Sequence, residues 1–208
     1  MKAPSPLWVA RLLVGAALVA VSALWFRQSA RPVGDRRLIR LSRETGVPLR
    51  WLQALDDVES RDTDDVIRFE PHVFLRLRPD LVGRIPYTDN GRGFSTTPSQ
   101  TNRAAFARAW SMAGAGAAAI KATSWGRWQV LGWALLELED DPMRAPAFFY
   151  SSPAAVSDDL LVRWFKRNPS AVDAAKRGDV EGFARVYNGP RNVAAYSLRL
   201  SAALENVA

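Results

Sequence analysis

The stretch Trp51-Leu52-Gln53-Ala54-Leu55-Asp56-Asp57-Val58-Glu59-Ser60 sets the character of this chain. Leu52, Leu55 and Glu59 recur at helical spacing, so a glutamate continues the apolar stripe where a core residue is expected. A carboxyl group half-removed from water has a raised pKa and holds its proton near neutral pH. That is the property of a general acid, and protonating a glycosidic oxygen is a frequent task for such a group. The competing reading is that Glu59 frays into solvent, as most glutamates at helix ends do.

Working outward, Pro48 suits the first turn of this helix. The preceding segment Arg37 to Thr45 carries Leu38, Ile39 and Leu41 and reads as a helix stopped at Gly46. Downstream, an acidic run with Asp62, Asp64 and Asp65 reads as a solvated turn. Val66-Ile67-Arg68-Phe69-Glu70-Pro71-His72-Val73-Phe74 reads as a short strand leading into a helix. Residues 79–102, rich in Pro, Gly, Asp and Asn, read as a long loop, and such loops are usually functional or mobile. Asn102 to Ala122 reads as one alanine-rich helix with Phe106, Trp110 and Ala113 as its core stripe, and Gly114 and Gly116 marking a close helix contact. Thr123 to Trp133 begins like a strand. Ser152-Pro153 opens a helix ending at Asn168-Pro169. Two short helices follow, then a turn at Tyr187-Asn188-Gly189-Pro190 and a last helix from Asn192 to Glu205 with Val193, Tyr196, Leu200 and Ala203 inward. The sum is an α+β domain, mainly α, without internal repeats.

Composition narrows the function classes. The chain has 208 residues, 48% hydrophobic, enough for one domain plus an attached segment. It contains no cysteine, which excludes disulfides, thiolate metal sites and a cysteine nucleophile. A formal net charge of +7 favours an anionic partner. No nucleic-acid motif is present and the basic residues are scattered, so no nucleic-acid partner is expected. Residues 6–26 contain no acidic residue and have about the length of a membrane span, with Trp8 and Trp25 near its ends. Arg11 interrupts it, and the remaining run from Leu12 to Val21 also fits the apolar part of a secretory signal. Residues 1–30 are therefore expected to be a signal-anchor or transmembrane segment, and residues 31–37 a linker.

Four segments carry the chemistry: Asp57-Val58-Glu59-Ser60, Arg68-Phe69-Glu70-Pro71-His72-Val73-Phe74, Ser124-Trp125-Gly126-Arg127-Trp128-Gln129-Val130-Leu131-Gly132, and Phe183-Ala184-Arg185-Val186-Tyr187-Asn188-Gly189-Pro190. In this order they resemble the N-acetylmuramidase endolysin family of bacteria and phages. The resemblance implies a lysozyme-like domain over residues 38–208, preceded here by one apolar N-terminal helix. It implies cleavage of the β-1,4 bond between N-acetylmuramic acid and N-acetylglucosamine in peptidoglycan. Its catalytic glutamate falls on Glu59, and its further motif positions on Phe69, Glu70, His72 and Phe74, on Ser124, Trp125, Gly126 and Gln129, and on Tyr187 to Pro190. One departure is Arg61-Asp62, where the family usually has glycines after Glu-Ser.

Residue chemistry assigns the roles. Glu59 is the proton donor, worth ~10²–10⁴ in rate. An oxocarbenium-like transition state needs negative charge or an activated water nearby, and Glu70 is the first candidate for that second carboxylate. An ion pair of Glu70 with Arg68 or Arg76 is the alternative. Asp56 and Asp57 lie at other helix angles and rank lower. His72, the only histidine, is read as an orienting hydrogen-bond partner and not a metal ligand. The amides of Gln129 and Asn188 suit sugar N-acetyl and hydroxyl groups. Ser124, Trp125 and Tyr187 complete the expected substrate contacts. No cofactor or metal is expected. The expected protein is a monomer exported to the periplasm or cell wall, or anchored in the inner membrane, in a phage or prophage lysis role. The competing readings are a lytic transglycosylase and a non-catalytic, membrane-tethered peptidoglycan-binding protein.

Overall fold

A computed structural model describes residues 36–59, 63–84 and 99–207, without the side chains of residues 99–101. The readings of residues 1–30 as a membrane or signal segment and of residues 31–35 as a linker lie outside the described residues. No helix among the described residues is long and apolar enough to cross a membrane.

The chain divides into two units, residues 1–39 and residues 40–208, and the boundary falls inside helix α1 (Arg36–Thr45). Helix α1 starts one residue before its expected position and ends at Gly46, whose φ of +73° favours glycine. In the larger unit, α2 (Leu49–Glu59) follows Pro48 and buries Trp51, Leu52, Ala54 and Leu55. Next come β1 (Ile67–Phe69), α3 (Pro71–Leu77) and a 3₁₀ turn at Pro79–Leu81. Glu70 occupies the N-cap position of α3, with Pro71 in the first turn.

The alanine-rich segment is two helices and not one. Helix α4 (Ser99–Trp110) and helix α5 (Gly116–Lys121) are separated by a break in which Gly114 takes φ +66°. Phe106 is buried as expected, whereas Ala113 lies exposed in the break. Gly116 meets no backbone closely, so neither glycine marks a tight helix crossing.

Strands β2 (Thr123–Trp125) and β3 (Val130–Leu131) complete a three-stranded antiparallel sheet in the order β1-β2-β3. The register pairs Ile67 with Trp125, Arg68 with Ser124 and Phe69 with Thr123, then Ser124 with Leu131 and Trp125 with Val130. Directly opposed residues share a face of a sheet. One face therefore carries the row Arg68-Ser124-Leu131. The other carries the buried Ile67, Phe69, Thr123, Trp125 and Val130.

After the sheet come α6 (Ala145–Ser151), α7 (Pro153–Arg167), α8 (Pro169–Arg177) and α9 (Val180–Tyr187). A 3₁₀ turn at Pro190–Asn192 then leads into α10 (Val193–Asn206). Ser152 precedes α7 without a side-chain cap, whereas Asp179 caps α9 by accepting from the Gly182 amide at 2.8 Å. Helix α10 packs on α2 and on α9. Their shared core joins Trp51 to Phe183 with ring centres 5.1 Å apart, and Phe183 stacks on Tyr187 at 5.4 Å. A second cluster surrounds Trp125, with Phe106 and Phe149 edge-on at 5.3 and 5.0 Å. Burying one such aromatic side chain contributes about 1.5–3 kcal/mol. The architecture is thus mainly helical with a small sheet.

Candidate active site

Glu59 closes α2 in a half-buried position, in line with the buried Leu52 and Leu55. Helix α10 lies across this helix and aims Tyr196 at it. The Tyr196 hydroxyl donates to Glu59 Oε1 at 2.8 Å, while its ring is almost wholly buried. Burial, and then the Glu59 carboxylate beside it, push the Tyr196 phenol far above its usual range, so it keeps its proton and can donate it to Glu59. Arg199 lies 5.3 Å from the Tyr196 ring centre.

Tyr187, an expected substrate contact, packs beside Tyr196 with ring centres 6.0 Å apart. Its hydroxyl donates to the Trp128 carbonyl at 2.7 Å, which ties α9 to the β2–β3 turn. Burial and Glu59 raise the Tyr187 phenol as well. Tyr187, Trp128, Gln129, Leu131, Trp133 and Trp164 line a cavity of about 80 Å³ beside this wall. Gln129 holds φ +50° and is the one non-glycine residue with positive φ among the described residues. Such strain is stored where the surroundings fix it, often at functional sites. Here the Gln129 side chain returns to the Gly126 carbonyl at 2.9 Å. Gly126 itself has φ +71°, and a Cβ there would fall 2.5 Å from the Ser157 hydroxyl and 2.7 Å from its Cβ. Only glycine fits this turn.

Trp128 is held from below. Its indole N–H donates to Asp158 Oδ1 at 3.0 Å, and Arg40 donates to Asp158 Oδ2 at 2.7 Å. Arg127 makes a two-armed ion pair with Asp56 of α2, one arm at 2.8 Å, so the β2–β3 turn is fastened to the helix that presents Glu59.

The second group of expected residues sits on the sheet. Arg68 Nε donates to Glu70 Oε1 at 2.6 Å, and His72 Nδ1 stands 3.7 Å from Glu70 Oε2. The Glu70 side chain is only 13% exposed, whereas that of His72 is 48% exposed. Arg68 is the strand partner of Ser124, and Ser124 of Leu131, which reaches the aromatic cavity. The sheet row therefore runs from Glu70 to the cavity wall. Asn188 ends α9, its amide bonded to the Ala184 carbonyl. Among the described residues, no group of three or more His, Asp or Glu side chains is placed to hold a metal ion.

Two expected substrate contacts are corrected, since Ser124 is only 3% exposed. Trp125 has no exposed surface, and its indole N–H donates to the Ile120 carbonyl at 3.2 Å. Alternation along β2 turns it into the core and leaves Ser124 on the opposite face. Asp56, ranked below Glu70 as a second carboxylate, is paired with Arg127, and Asp65, in the run read as a solvated turn, is about half exposed and paired with Arg103. Tyr196 was read only as an inward residue of the last helix. Its partner is 137 residues away, and no local spacing signals that contact.

A family model for N-acetylmuramidase matches residues 49–208, well over half of the chain. The chain belongs to the N-acetylmuramidase family. It is a lysozyme-type glycoside hydrolase acting on peptidoglycan. No curated protein matches it. The crystal structure of the Burkholderia AP3 phage endolysin is similar in fold, with a TM-score of 0.64 at 24% identity over 86% of this chain and 73% of that one. The likeness shows that the mainly helical arrangement with a small sheet described above is shared with that endolysin.

Proposed function

We propose that this muramidase hydrolyses the β-1,4 bond between N-acetylmuramic acid and N-acetylglucosamine with Glu59 as the general acid. The observation that carries this reading is the setting of Glu59: half-buried at the end of α2, where it accepts a hydrogen bond from the buried Tyr196 hydroxyl. A carboxyl group partly removed from water can hold a proton for the leaving oxygen, and its position at a helix end keeps it open to substrate. Glu70 serves as the second carboxylate. The Arg68 ion pair keeps a negative charge on the sheet face, where it stabilises positive charge on the sugar or orients the attacking water. Gln129, Asn188 and Tyr187 contact the sugars on the helical side, and His72 on the sheet side.

Residues 6–26 deliver the enzyme to the membrane as an export signal or anchor, a reading carried by their apolar run. The structural likeness to a phage endolysin favours a lysis role.

The test is mass spectrometry of purified peptidoglycan digested by the full chain and by Glu59→Gln. Reducing-end muramic acid from the first and none from the second is the expected result. Products lighter by one water would make the enzyme a transglycosylase, and equal activity in both proteins would remove Glu59 from the mechanism.

A further inference from the structure

We propose that Tyr196 is a positioning residue for Glu59: its buried hydroxyl fixes the orientation of the acid and hydrogen-bonds the negative charge that appears on it as the proton leaves. The inference rests on the reading of Glu59 as the acid.

Three observations converge on it. First, the bond is short and direct, 2.8 Å from the Tyr196 hydroxyl to Glu59 Oε1. Second, Tyr196 is 1% exposed, so it does not touch the polysaccharide and any effect on turnover passes through Glu59. Third, the Tyr196 ring cannot drift. It is flanked by Tyr187, whose own hydroxyl is committed to the Trp128 carbonyl, and by Arg199. A donor fixed in this way meets a weak acceptor while Glu59 is protonated and a strong one once Glu59 is a carboxylate. Hydrogen bonds to ionised groups are roughly twice as strong as neutral ones. The bond therefore strengthens along the reaction coordinate, which is the condition for accelerating a step instead of merely binding the ground state.

The same bond sets the upper limb of the pH profile. A donor to the carboxylate favours its charged form, so removing the donor makes Glu59 a weaker acid and moves the alkaline limb to higher pH. The groups around this pair are Tyr187 on α9, which feels the Glu59 charge, Arg199 on α10, which lies beside the Tyr196 ring, and the Asp56–Arg127 pair one helical turn before Glu59 on α2. Arg61 and Asp62 follow it in the sequence. None of these is altered by removing one phenolic oxygen.

The experiment measures kcat and KM on soluble, uncross-linked peptidoglycan strands across pH for the full chain and for Tyr196→Phe. The expected result is a kcat about tenfold lower at the optimum, an unchanged KM and an alkaline limb raised by about one pH unit. An unchanged kcat and profile would reduce Tyr196 to packing, and a raised KM with unchanged kcat would place its effect in the groove. Incorporating a fluorinated tyrosine at position 196 keeps the ring and strengthens the donor, so the limb should move to lower pH even where the phenylalanine variant folds poorly. No movement with the fluorinated residue would overturn the inference. Glu59→Gln separates the two readings. If it is fully active, the acid assignment fails. If it is inactive while Tyr196→Phe behaves as wild type, only the role of Tyr196 fails.

Discussion

The two glutamates of the site are held in opposite ways. Glu59 ends a helix and is oriented by a phenolic hydroxyl within an aromatic wall built from α9 and α10. Glu70 lies at the edge of the sheet and is oriented by the guanidinium of Arg68, with the imidazole of His72 nearby. A neutral donor tolerates both protonation states of its partner, whereas a guanidinium demands the anion. The proposed acid thus meets a phenolic donor, and the proposed second carboxylate a guanidinium. The proposed roles divide the same way, proton transfer on the helical side and negative charge on the sheet side.

Paired variants would break that comparison most forcefully. Glu59→Gln keeps size and hydrogen bonding but has no proton to give, and muropeptide release should fall by ~10²–10⁴ with the melting temperature unchanged. Glu70→Gln should reduce the same release by on the order of 10², a smaller loss because other groups and water still stabilise the oxocarbenium-like charge. Full activity of Glu70→Gln would leave Glu70 as a structural ion pair and turn the two-carboxylate picture into a single-acid one.

A next, smaller effect should appear in stability. Asp158 is 3% exposed and accepts from both the Trp128 indole and Arg40. Asp158→Ala leaves the buried indole N–H without a partner. Arg40 is 46% exposed and recovers water, so its loss adds little. The cost should be about 2 kcal/mol, a fall of about 4–8 °C in Tm for a domain of this size. Because Trp128 supplies both the cavity wall and the carbonyl that holds Tyr187, the helical half of the site should weaken with it. Calorimetry together with KM would detect both effects, and a stable variant with raised KM would show that Asp158 acts on the groove alone.

The sequence made the helical half legible where periodicity reported on burial. Leu52, Leu55 and Glu59 share a stripe in the sequence and a side of α2 in the structure. The order of strand and helix around Glu70 was equally readable, since Pro71 marks the first turn of α3. What escaped had long-range causes. The break between α4 and α5 is hidden because alanine and glycine offer no periodic contrast, and only the positive φ of Gly114 betrays it. Trp125 was misassigned because a motif does not say which face of a strand its residues occupy, whereas pairing with Ile67 settles it. The Tyr196–Glu59, Tyr187–Trp128 and Asp56–Arg127 bonds depend on how helices and sheet are docked, which no spacing within one segment records.

The smallest expected effect concerns the sheet half, at a pair remote from the proposed chemistry. Arg103 of α4 donates to Asp65, just before β1, at 2.7 Å, and both side chains are about half exposed. The hydrogen bond from Arg103 holds the Asp65 carboxyl below its ordinary value of 3.8. A carboxyl whose pKa is depressed in the folded state stabilises the protein above its unfolded pKa, and the contribution fades as pH falls through the folded value. The pair should therefore act fully at neutral pH and vanish only in acid below about 3.8. Solvent screening limits an exposed pair to less than about 1 kcal/mol. Asp65→Asn should lower Tm by no more than about 4 °C at pH 7, and its difference from wild type should close as the pH is taken below 3. Since β1 carries Arg68 and leads to Glu70, muramidase activity measured in parallel tells whether the sheet edge needs this outer tether. Unchanged activity with a slightly lower Tm would mean that the strand ladder alone fixes Glu70. A drop in activity larger than the loss of stability would mean that the charge on the sheet face depends on a tie as far out as α4.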